Sequence, residues 1–196
     1  MQIEVLVFDG VDELDALGPY EAFSNARLSG ADATVRLVTL KAVEHVTGAH
    51  GVTFRPHGTL TCPDALIVPG GGWNERSGKG AWHEAQSDTL PRRLVQLHDQ
   101  GILLASVCTG GMLLATAGLL TGRRAVTHRG ALNELRELGA RVVEARVVDD
   151  GDIVTSGGVT SGIDLALHLI DRLFGADIRC AVEVELEHRG VPAESS

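Results

Sequence analysis

The stretch GILLASVCTGGMLLATAGLL, residues 101–120, is an apolar run that is interrupted once, by a cysteine, a threonine and two glycines. The short apolar segment before the interruption is typical of a buried strand, and the longer segment after it is typical of a helix. A strand that passes through a tight turn with small neighbouring residues into a helix is the arrangement of a nucleophile elbow. The pattern therefore predicts a strand at 102–106, an elbow at Cys108 and a helix that opens at Thr109.

Strands and helices alternate along the rest of the chain. We predict a small hairpin around 46–54 and two strands on either side of the DDGD turn, and the other predicted elements are strands at 3–8, 35–39 and 65–68, a short strand near Val126, and helices at 12–28, 81–99, 131–138, 161–174 and 176–187. Strands that alternate with helices form right-handed βαβ units, so the fold class is α/β, a mostly parallel central sheet with helices on both faces. We assign residues 1–190 to a single domain and residues 191–196 to a short C-terminal tail.

Composition narrows the classes of function. The 196 residues are 44% hydrophobic, which is enough for one core, and the formal net charge of −9 argues against nucleic acid or an anionic membrane as partner. Three widely spaced cysteines fit neither a disulfide framework nor a zinc site. The N-terminus enters a strand directly and no apolar run is long enough to cross a bilayer, so we expect a cytoplasmic protein without a metal or a membrane anchor.

Cys108 has two interpretations. Cysteine is among the residues most often buried, so an apolar run favours a packing role. At a strand-to-helix junction, however, the sulfur lies against the free N–H groups and the positive end of the helix, which favour the thiolate. We predict that Cys108 is a nucleophile and assign no catalytic role to Cys62 or Cys180.

Two further loops reach the carboxyl edge of the predicted sheet, where ligands bind in such folds. The loop VPGGGW contains Gly70, Gly71 and Gly72, whose N–H groups can approach a ligand closely, as an oxyanion hole requires. The alternative interpretation of this loop is a flexible turn. His128, in AVTHRGAL, follows a short strand after the elbow helix and is a candidate base or hydrogen-bond partner near Cys108.

The first loop is acidic. Asp12 and Glu13 complement the dipole of the helix that begins there. The pair Gly18-Pro19 is expected to kink this helix and so to point Asp15 into the cleft at the strand ends. Asp15 is therefore the candidate catalytic carboxylate.

Three segments in this order resemble the ThiJ/PfpI superfamily of class I glutamine amidotransferase-like folds: ALIVPGGG (65–72), LLASVCTGGMLLATAGLLTGRRAVTH (103–128) and VTSGGVTSGIDLALHLI (154–170). The resemblance covers nearly the whole chain and implies a flavodoxin-like three-layer sandwich, a homodimer and no cofactor. The motifs DALGP (15–19) and SVCTG (106–110) are most similar to the isonitrile hydratase branch, which uses an aspartate, a cysteine and the threonine that follows it. In this chain those residues are Asp15, Cys108 and Thr109.

The resemblance implies a hydro-lyase that acts on a small electrophile. Cys108 would add to an isonitrile, Asp15 would supply a proton and then activate water, Thr109 would orient that water, and the N–H groups of Gly71 and Gly72 would stabilise the developing charge. The backbone N–H of Thr109 would share that stabilising role, and the product would be an N-substituted formamide. The same cysteine also suits a glyoxalase or deglycase that acts on small reactive aldehydes, or a non-enzymatic redox or ligand sensor related to AraC-type regulator domains.

Two positions separate the chain from other branches. The intracellular protease branch carries a histidine directly after the cysteine, where this chain has Thr109, so peptidase activity is not expected. Relatives usually carry a bulky aromatic residue after the histidine of the TH pair, where this chain has Arg129. A substrate pocket of different shape and charge is therefore expected beside His128.

Overall fold

The computed structural model describes residues 1–195. Its strands are β1 (Gln2–Leu6), β2 (Thr34–Thr39), β3 (Val46–Thr47), β4 (Thr53–Phe54), β5 (Gly58–Thr59), β6 (Ala65–Val68), β7 (Leu103–Ser106), β8 (Arg124–Ala125), β9 (Arg141–Val142), β10 (Val147–Asp149), β11 (Ile153–Ser156) and β12 (Glu194–Ser195). Its helices are α1 (Glu13–Leu28), α2 (Ala81–Gln86), α3 (Thr89–Asp99), α4 (Gly110–Thr116), α5 (Leu132–Glu137), α6 (Ser161–Phe174) and α7 (Ala176–Glu185).

The central sheet has the strand order β12-β10-β11-β7-β6-β1-β2-β5. Every neighbouring pair in it is parallel except β10 and β11, which are antiparallel around the DDGD turn. All four residues of β6 are buried, as expected for a strand covered by helices on both faces. The predicted α/β three-layer class is confirmed, and β3 and β4 form the predicted hairpin.

The single helix predicted at 81–99 is wrong, because the chain forms α2 and α3 there. Between them Asp88 has a left-handed backbone, φ 55°, and the Ser87 hydroxyl donates to the carbonyl of Glu84. Such a side-chain bond to the backbone competes with helix continuation. Pro91 is the physical reason for the break, since a proline is tolerated in the first turn of a helix and not in the middle of one.

Helix α1 is continuous from Glu13 to Leu28, through Gly18 and Pro19. These two residues make a close contact with α6. A Cβ on Gly18 would lie 3.3 Å from Ile163, and a Cβ on Gly162 would lie 3.4 Å from the Cδ of Pro19. Small residues on both helices therefore allow α1 and α6 to approach each other above the elbow.

The C-terminal segment returns to the sheet. Within the expected tail of residues 191–196, Glu194 and Ser195 pair with β10 as a parallel edge strand, and Ser196 lies outside the described residues. Across residues 1–195, none of the helices combines the length and the apolarity that crossing a bilayer requires.

Candidate active site

Cys108 stands at the turn between β7 and α4 with a left-handed backbone, φ 55°. This conformation is strained for a residue other than glycine, so its surroundings must hold it in place. The N–H of Cys108 donates to the carbonyl of Gly157 at 2.9 Å, and its carbonyl accepts from the hydroxyl of Thr127 at 2.7 Å. The predicted elbow is therefore present, with 6% of Cys108 exposed.

The glycines around the elbow are there because two loops pass very close to each other. A Cβ on Gly110 would overlap the carbonyl of Val68, and a Cβ on Gly70 would overlap the hydroxyl of Thr109. Neither loop can move away without breaking the sheet, because β6 and β7 are hydrogen-bonded neighbours. The glycines are thus needed for the close packing of this loop on the elbow, and they also bring backbone N–H groups near the site.

Asp15 lies beside Cys108, and it is completely buried in the first turn of α1. Its Oδ2 accepts the N–H of Gly70 at 3.0 Å. Its Oδ1 has no hydrogen-bond partner within residues 1–195, and the polar side chain that faces the carboxyl is the Cys108 thiol. A buried carboxyl oxygen without a donor is costly, and such groups are concentrated at functional sites.

Both members of this pair have raised pKa values. Burial, and next the negative charge of Asp12, raise the pKa of Asp15 to about 8, although the N–H of Gly70 and the Cys108 thiol act in the opposite direction. Burial, and next the charge of Asp15, raise the pKa of the Cys108 thiol to about 12. The two groups therefore titrate as a coupled pair.

The structure corrects the expectation that the elbow favours a resting thiolate. Helix α4 is only seven residues long, so its dipole is small compared with the effects of burial and of Asp15. The N–H groups of Thr109 and Val159 do favour the thiolate, but they do not reverse the shift. Cys108 is a thiol at rest, and a base with a pKa near 8 lies next to it to take its proton.

Val159 is a site residue that sequence reasoning missed. Its backbone N–H lowers the pKa of the Cys108 thiol and so favours the thiolate, and its φ of 40° is unusual for a β-branched residue. The side chain gives no sign of this role, because the backbone supplies the donor. The only available signal was the pair Gly157-Gly158 directly before it, which marks a turn at the end of β11.

Gly71 and Gly72, two of the expected oxyanion donors, have different hydrogen-bond environments. The N–H of Gly71 donates to Thr109 Oγ1 at 3.0 Å, so it is already used within the protein. Gly72 turns into the loop that follows and accepts the N–H of Ser77 at 3.0 Å. The backbone N–H groups that favour the thiolate, through their effect on the Cys108 pKa, are those of Val159 and Thr109.

Thr109 connects the elbow to the glycine loop through this bond with Gly71. A Thr109→Val variant keeps the side-chain shape and leaves the partly buried N–H of Gly71 without its acceptor. We expect it to lower the free energy of unfolding by about 1–2 kcal/mol and to reduce activity, whereas Thr109→Ser retains both. Urea unfolding of the three proteins measures the difference, and equal stability of the valine and serine variants would contradict this role.

His128 is placed beside the site as a capping residue. Its Nδ1 accepts the N–H of Gly130 at 3.1 Å and lies 3.2 Å from the side-chain nitrogen of Asn74. A Cβ on Gly158 would lie 2.7 Å from the His128 ring, so the ring packs against the loop that carries Val159. Because Nδ1 is an acceptor here, the neutral ring carries its proton on Nε2. The structure thus supports a role in shaping the site and gives no contact with the Cys108 sulfur.

Arg129, which was expected to shape the pocket, and Trp73, which follows the three glycines, lie in different environments. Arg129 is exposed. Trp73 is buried, and its Nε1 donates to Glu134 at 2.9 Å. Arg76 stacks on Trp82, with its guanidinium 3.8 Å from the ring centroid, and closes the same cluster with an ion pair to Glu134 at 3.0 Å. Aromatic and cationic groups therefore fix the loop that follows the three glycines.

The acidic residues at the start of α1 have separate roles. Asp12 caps the helix by accepting the N–H of Leu14 at 3.1 Å, as its position predicts. Glu13 does more than complement the helix dipole, because it accepts the N–H of His50 at 2.8 Å and the ring of His50 at 2.6 Å, which ties the β3–β4 hairpin to α1. Within residues 1–195, one group of side chains has ligand atoms close enough together to hold a cation, namely Asp12, Glu13 and His50. The hydrogen bonds of Asp12 with Leu14 and of Glu13 with His50 already account for their positions.

Known proteins resemble this chain over most of its length. A family model described as the DJ-1/PfpI family matches residues 1–172. A protein of Pseudomonas putida named isonitrile hydratase is 38% identical over 98% of this chain and 80% of its own length. A Pyrococcus abyssi protein named deglycase is 28% identical over 80% of this chain and 89% of its own length. The solved structure of oxidised Toxoplasma gondii DJ-1 superposes with a TM-score of 0.80 at 26% identity, over 95% of this chain and 98% of that one.

Proposed function

The chain belongs to the DJ-1/PfpI family, and on that premise we propose that it is a cysteine-dependent hydro-lyase that converts an isonitrile and water into an N-substituted formamide. The resemblance to the Pseudomonas putida isonitrile hydratase supports the substrate class. The observation that carries the proposal is the buried carboxyl of Asp15, which faces the Cys108 thiol with one oxygen that has no other partner within residues 1–195. Once such a group has taken the proton of Cys108, it can hold that proton at neutral pH and deliver it inside the site.

In the first half of the reaction, the Cys108 proton moves to Asp15 and the sulfur bonds to the terminal carbon of the isonitrile. A C–N π pair moves onto nitrogen, and the carbon keeps its lone pair as an imidoyl anion. The N–H groups of Thr109 and Val159 stabilise negative charge at the sulfur until the new bond forms. Asp15 then protonates the carbanion, which gives a thioimidate on Cys108 and restores the carboxylate.

In the second half, Asp15 takes a proton from water as the water oxygen bonds to the thioimidate carbon. The nitrogen of the substrate receives that proton. The carbon–sulfur bond then breaks, the hydroxyl proton passes to the sulfur, and the formamide leaves with Cys108 again a thiol. Thr109 Oγ1 accepts the N–H of Gly71, so the hydroxyl proton of Thr109 remains available to orient the water.

The rate should depend on pH through the coupled pair. The reactive form has lost one proton from the Cys108–Asp15 pair, and the fraction in this form falls tenfold for each pH unit below the pKa of about 8. We therefore expect kcat/KM to rise with pH to a plateau above about pH 8 and to fall again only in strong alkali. Initial rates of cyclohexyl isocyanide hydration between about pH 5 and 10 measure this profile, and a rate that is flat below pH 7 would contradict it.

Asp12 offers a matched test of the same electrostatics. Asp12→Asn keeps a helix cap but removes a charge that raises the pKa of both Asp15 and Cys108. The rising limb of the pH profile should move to lower pH, by a few tenths of a unit to about one unit. Asp32→Asn makes the same charge change at an exposed residue outside the site and should leave the profile where it is.

An assay with two substrates separates the alternatives. The proposal predicts turnover of cyclohexyl isocyanide to N-cyclohexylformamide and little turnover of methylglyoxal. Turnover of methylglyoxal alone would support the aldehyde enzyme, as the resemblance to the deglycase allows. Oxidation of Cys108 by dilute peroxide, with no turnover of either substrate, would support the sensor.

We also propose that the protein acts as a homodimer in the cytoplasm. Leu14 lies on α1 and Val52 lies in the β3–β4 hairpin, the two segments that Glu13 joins beside the site. Leu14 is 41% exposed and Val52 is 50% exposed. A second copy of the chain would cover these apolar side chains. Sedimentation equilibrium tests the oligomeric state, with a mass of one chain as the contradicting result.

A further inference from the structure

A cavity lies at the carboxyl ends of β1 and β2, away from Cys108 and Asp15. Its volume is about 470 Å³, which is within the usual range for small-molecule sites. Apolar residues form part of its wall, among them Leu6, Phe8, Val46 and Leu90. Cys108, Asp15 and Thr109 do not line it, so it is not part of the proposed isonitrile site.

Both lysines of the protein line this cavity. The chain has two lysines, Lys41 and Lys79, against fifteen arginines, and both lysines line this one cavity. Within residues 1–195, arginine and histidine side chains form the ion pairs with carboxylates, and neither lysine has such a partner. Two unpaired ammonium groups at one cavity leave an anionic group of a ligand with two candidate contacts.

A carboxylate of opposite charge is on the same wall. Burial raises the pKa of Glu84, and the charges of His83 and Lys41 partly offset the effect. Lys41 and Glu84 therefore act on each other through the cavity, although they do not approach within ion-pair distance. Asp9 adds a second negative charge, and its Oδ1 accepts the N–H of Thr47 at 2.9 Å.

This charge pattern selects among small ligands. A dianion such as phosphate would meet Glu84 and Asp9 as well as the lysines, so its attraction would largely cancel. A zwitterion has a carboxylate for the lysines and an ammonium group for Glu84, and an aliphatic side chain suits the apolar wall. We propose that this cavity binds a small apolar α-amino acid, with its carboxylate on Lys41 and Lys79 and its ammonium group on Glu84.

The small number of lysines makes a direct measurement possible. Reductive methylation with 13C-formaldehyde labels Lys41, Lys79 and the N-terminus, and it keeps their positive charge. Three methyl signals are expected, and single Lys→Arg variants assign them. Titration with L-leucine should shift both lysine signals saturably and leave the signal of Met1 in place.

Ligand and protein variants then separate the two charge contacts. 4-Methylpentanoate lacks the ammonium group of leucine and 3-methylbutylamine lacks its carboxylate, and each should bind about ten- to a hundredfold more weakly than leucine. Lys41→Gln and Glu84→Gln should weaken leucine binding by a similar factor. Arg189→Gln removes one charge from an exposed residue that does not line the cavity and should have no effect.

Several results would overturn the proposal. These are lysine signals that do not move near the solubility limit of leucine, inorganic phosphate that shifts them as strongly as leucine, and equal weakening by Arg189→Gln. Lysine signals that respond to protein concentration and not to leucine would mean that a second copy of the chain covers the cavity, which also overturns it. Thermal unfolding of each variant, with Lys41→Arg as a variant that keeps the charge, shows that altered binding does not come from misfolding.

Discussion

The Cys108→Ala variant is expected to hydrate cyclohexyl isocyanide at least about 10⁴-fold more slowly than the unaltered protein. The thiol supplies the bond that holds the substrate carbon through both halves of the proposed reaction, and alanine has no group that can form this bond. Cys108 is 6% exposed and its backbone is fixed by Gly157 and Thr127, so alanine should fit the elbow with little change in the fold. Initial rates of formamide production measure the effect.

The other two cysteines are natural controls for this variant. Cys62 and Cys180 are exposed and lie outside the elbow, so Cys62→Ala and Cys180→Ala should both keep full activity. Retention of more than about a tenth of the activity by Cys108→Ala would exclude a covalent mechanism at this residue. A large loss in either control variant would point to a different nucleophile.

The second large effect is expected for Asp15→Asn, which should lower kcat/KM by about 10²–10⁴. Asparagine has nearly the same shape and can still accept the N–H of Gly70, so the site should keep its geometry. It can neither take the thiol proton nor deliver it to the substrate carbon. The rising limb of the pH profile near pH 8 should also disappear, because Asp15 is the group that titrates there.

The same variant should be more stable than the unaltered protein in alkaline solution. The pKa of Asp15 rises from 3.8 to about 8 in the folded protein, so folding favours its protonated form. The stability that this proton provides is complete below about pH 4 and is lost as the pH rises to about 8. At pH 8 to 9 Asp15→Asn avoids the buried charge and should gain at least about 2 kcal/mol in free energy of unfolding. Lower stability than the unaltered protein at pH 9 would contradict the raised pKa.

The combination of lost activity and gained stability distinguishes a catalytic carboxylate from a structural one. A structural carboxylate would lose stability on substitution. Asp15 has an oxygen without a partner within residues 1–195, which costs folding energy and supports the proposed chemistry. The Thr109 hydroxyl accepts the N–H of Gly71, so Thr109→Val is expected to lower the free energy of unfolding.

The features that sequence pattern predicts best are those that depend on side-chain size. The elbow at Cys108 was predicted because Gly110 lies where only glycine fits, and the strands β6 and β7 because short buried apolar runs precede those turns. The break between α2 and α3 was missed, although Pro91 permits a helix to start just before it and not to pass through it. The prediction gave more weight to apolar periodicity than to the position of the proline.

The site was predicted in part and for partly different reasons. Asp15 was identified through an expected kink at Gly18-Pro19, and in the structure these residues also serve the close packing of a continuous α1 on α6. The contribution of Val159 could not be predicted, because its backbone N–H makes the contact and any residue carries one. The predicted direction of the Cys108 pKa shift was wrong, because the shift depends on how deeply the thiol is buried. A local sequence pattern does not report that depth.

The central claim is that Cys108 forms a covalent bond to the isonitrile carbon while Asp15 moves the protons. A single-turnover reaction of excess protein with cyclohexyl isocyanide, quenched in acid at successive times and analysed by peptide mass spectrometry, tests it most directly. The peptide that contains Cys108 should gain the mass of one isonitrile before formamide appears and lose it as formamide accumulates. Formamide that accumulates while Cys108 keeps its unmodified mass at every time point would contradict the mechanism.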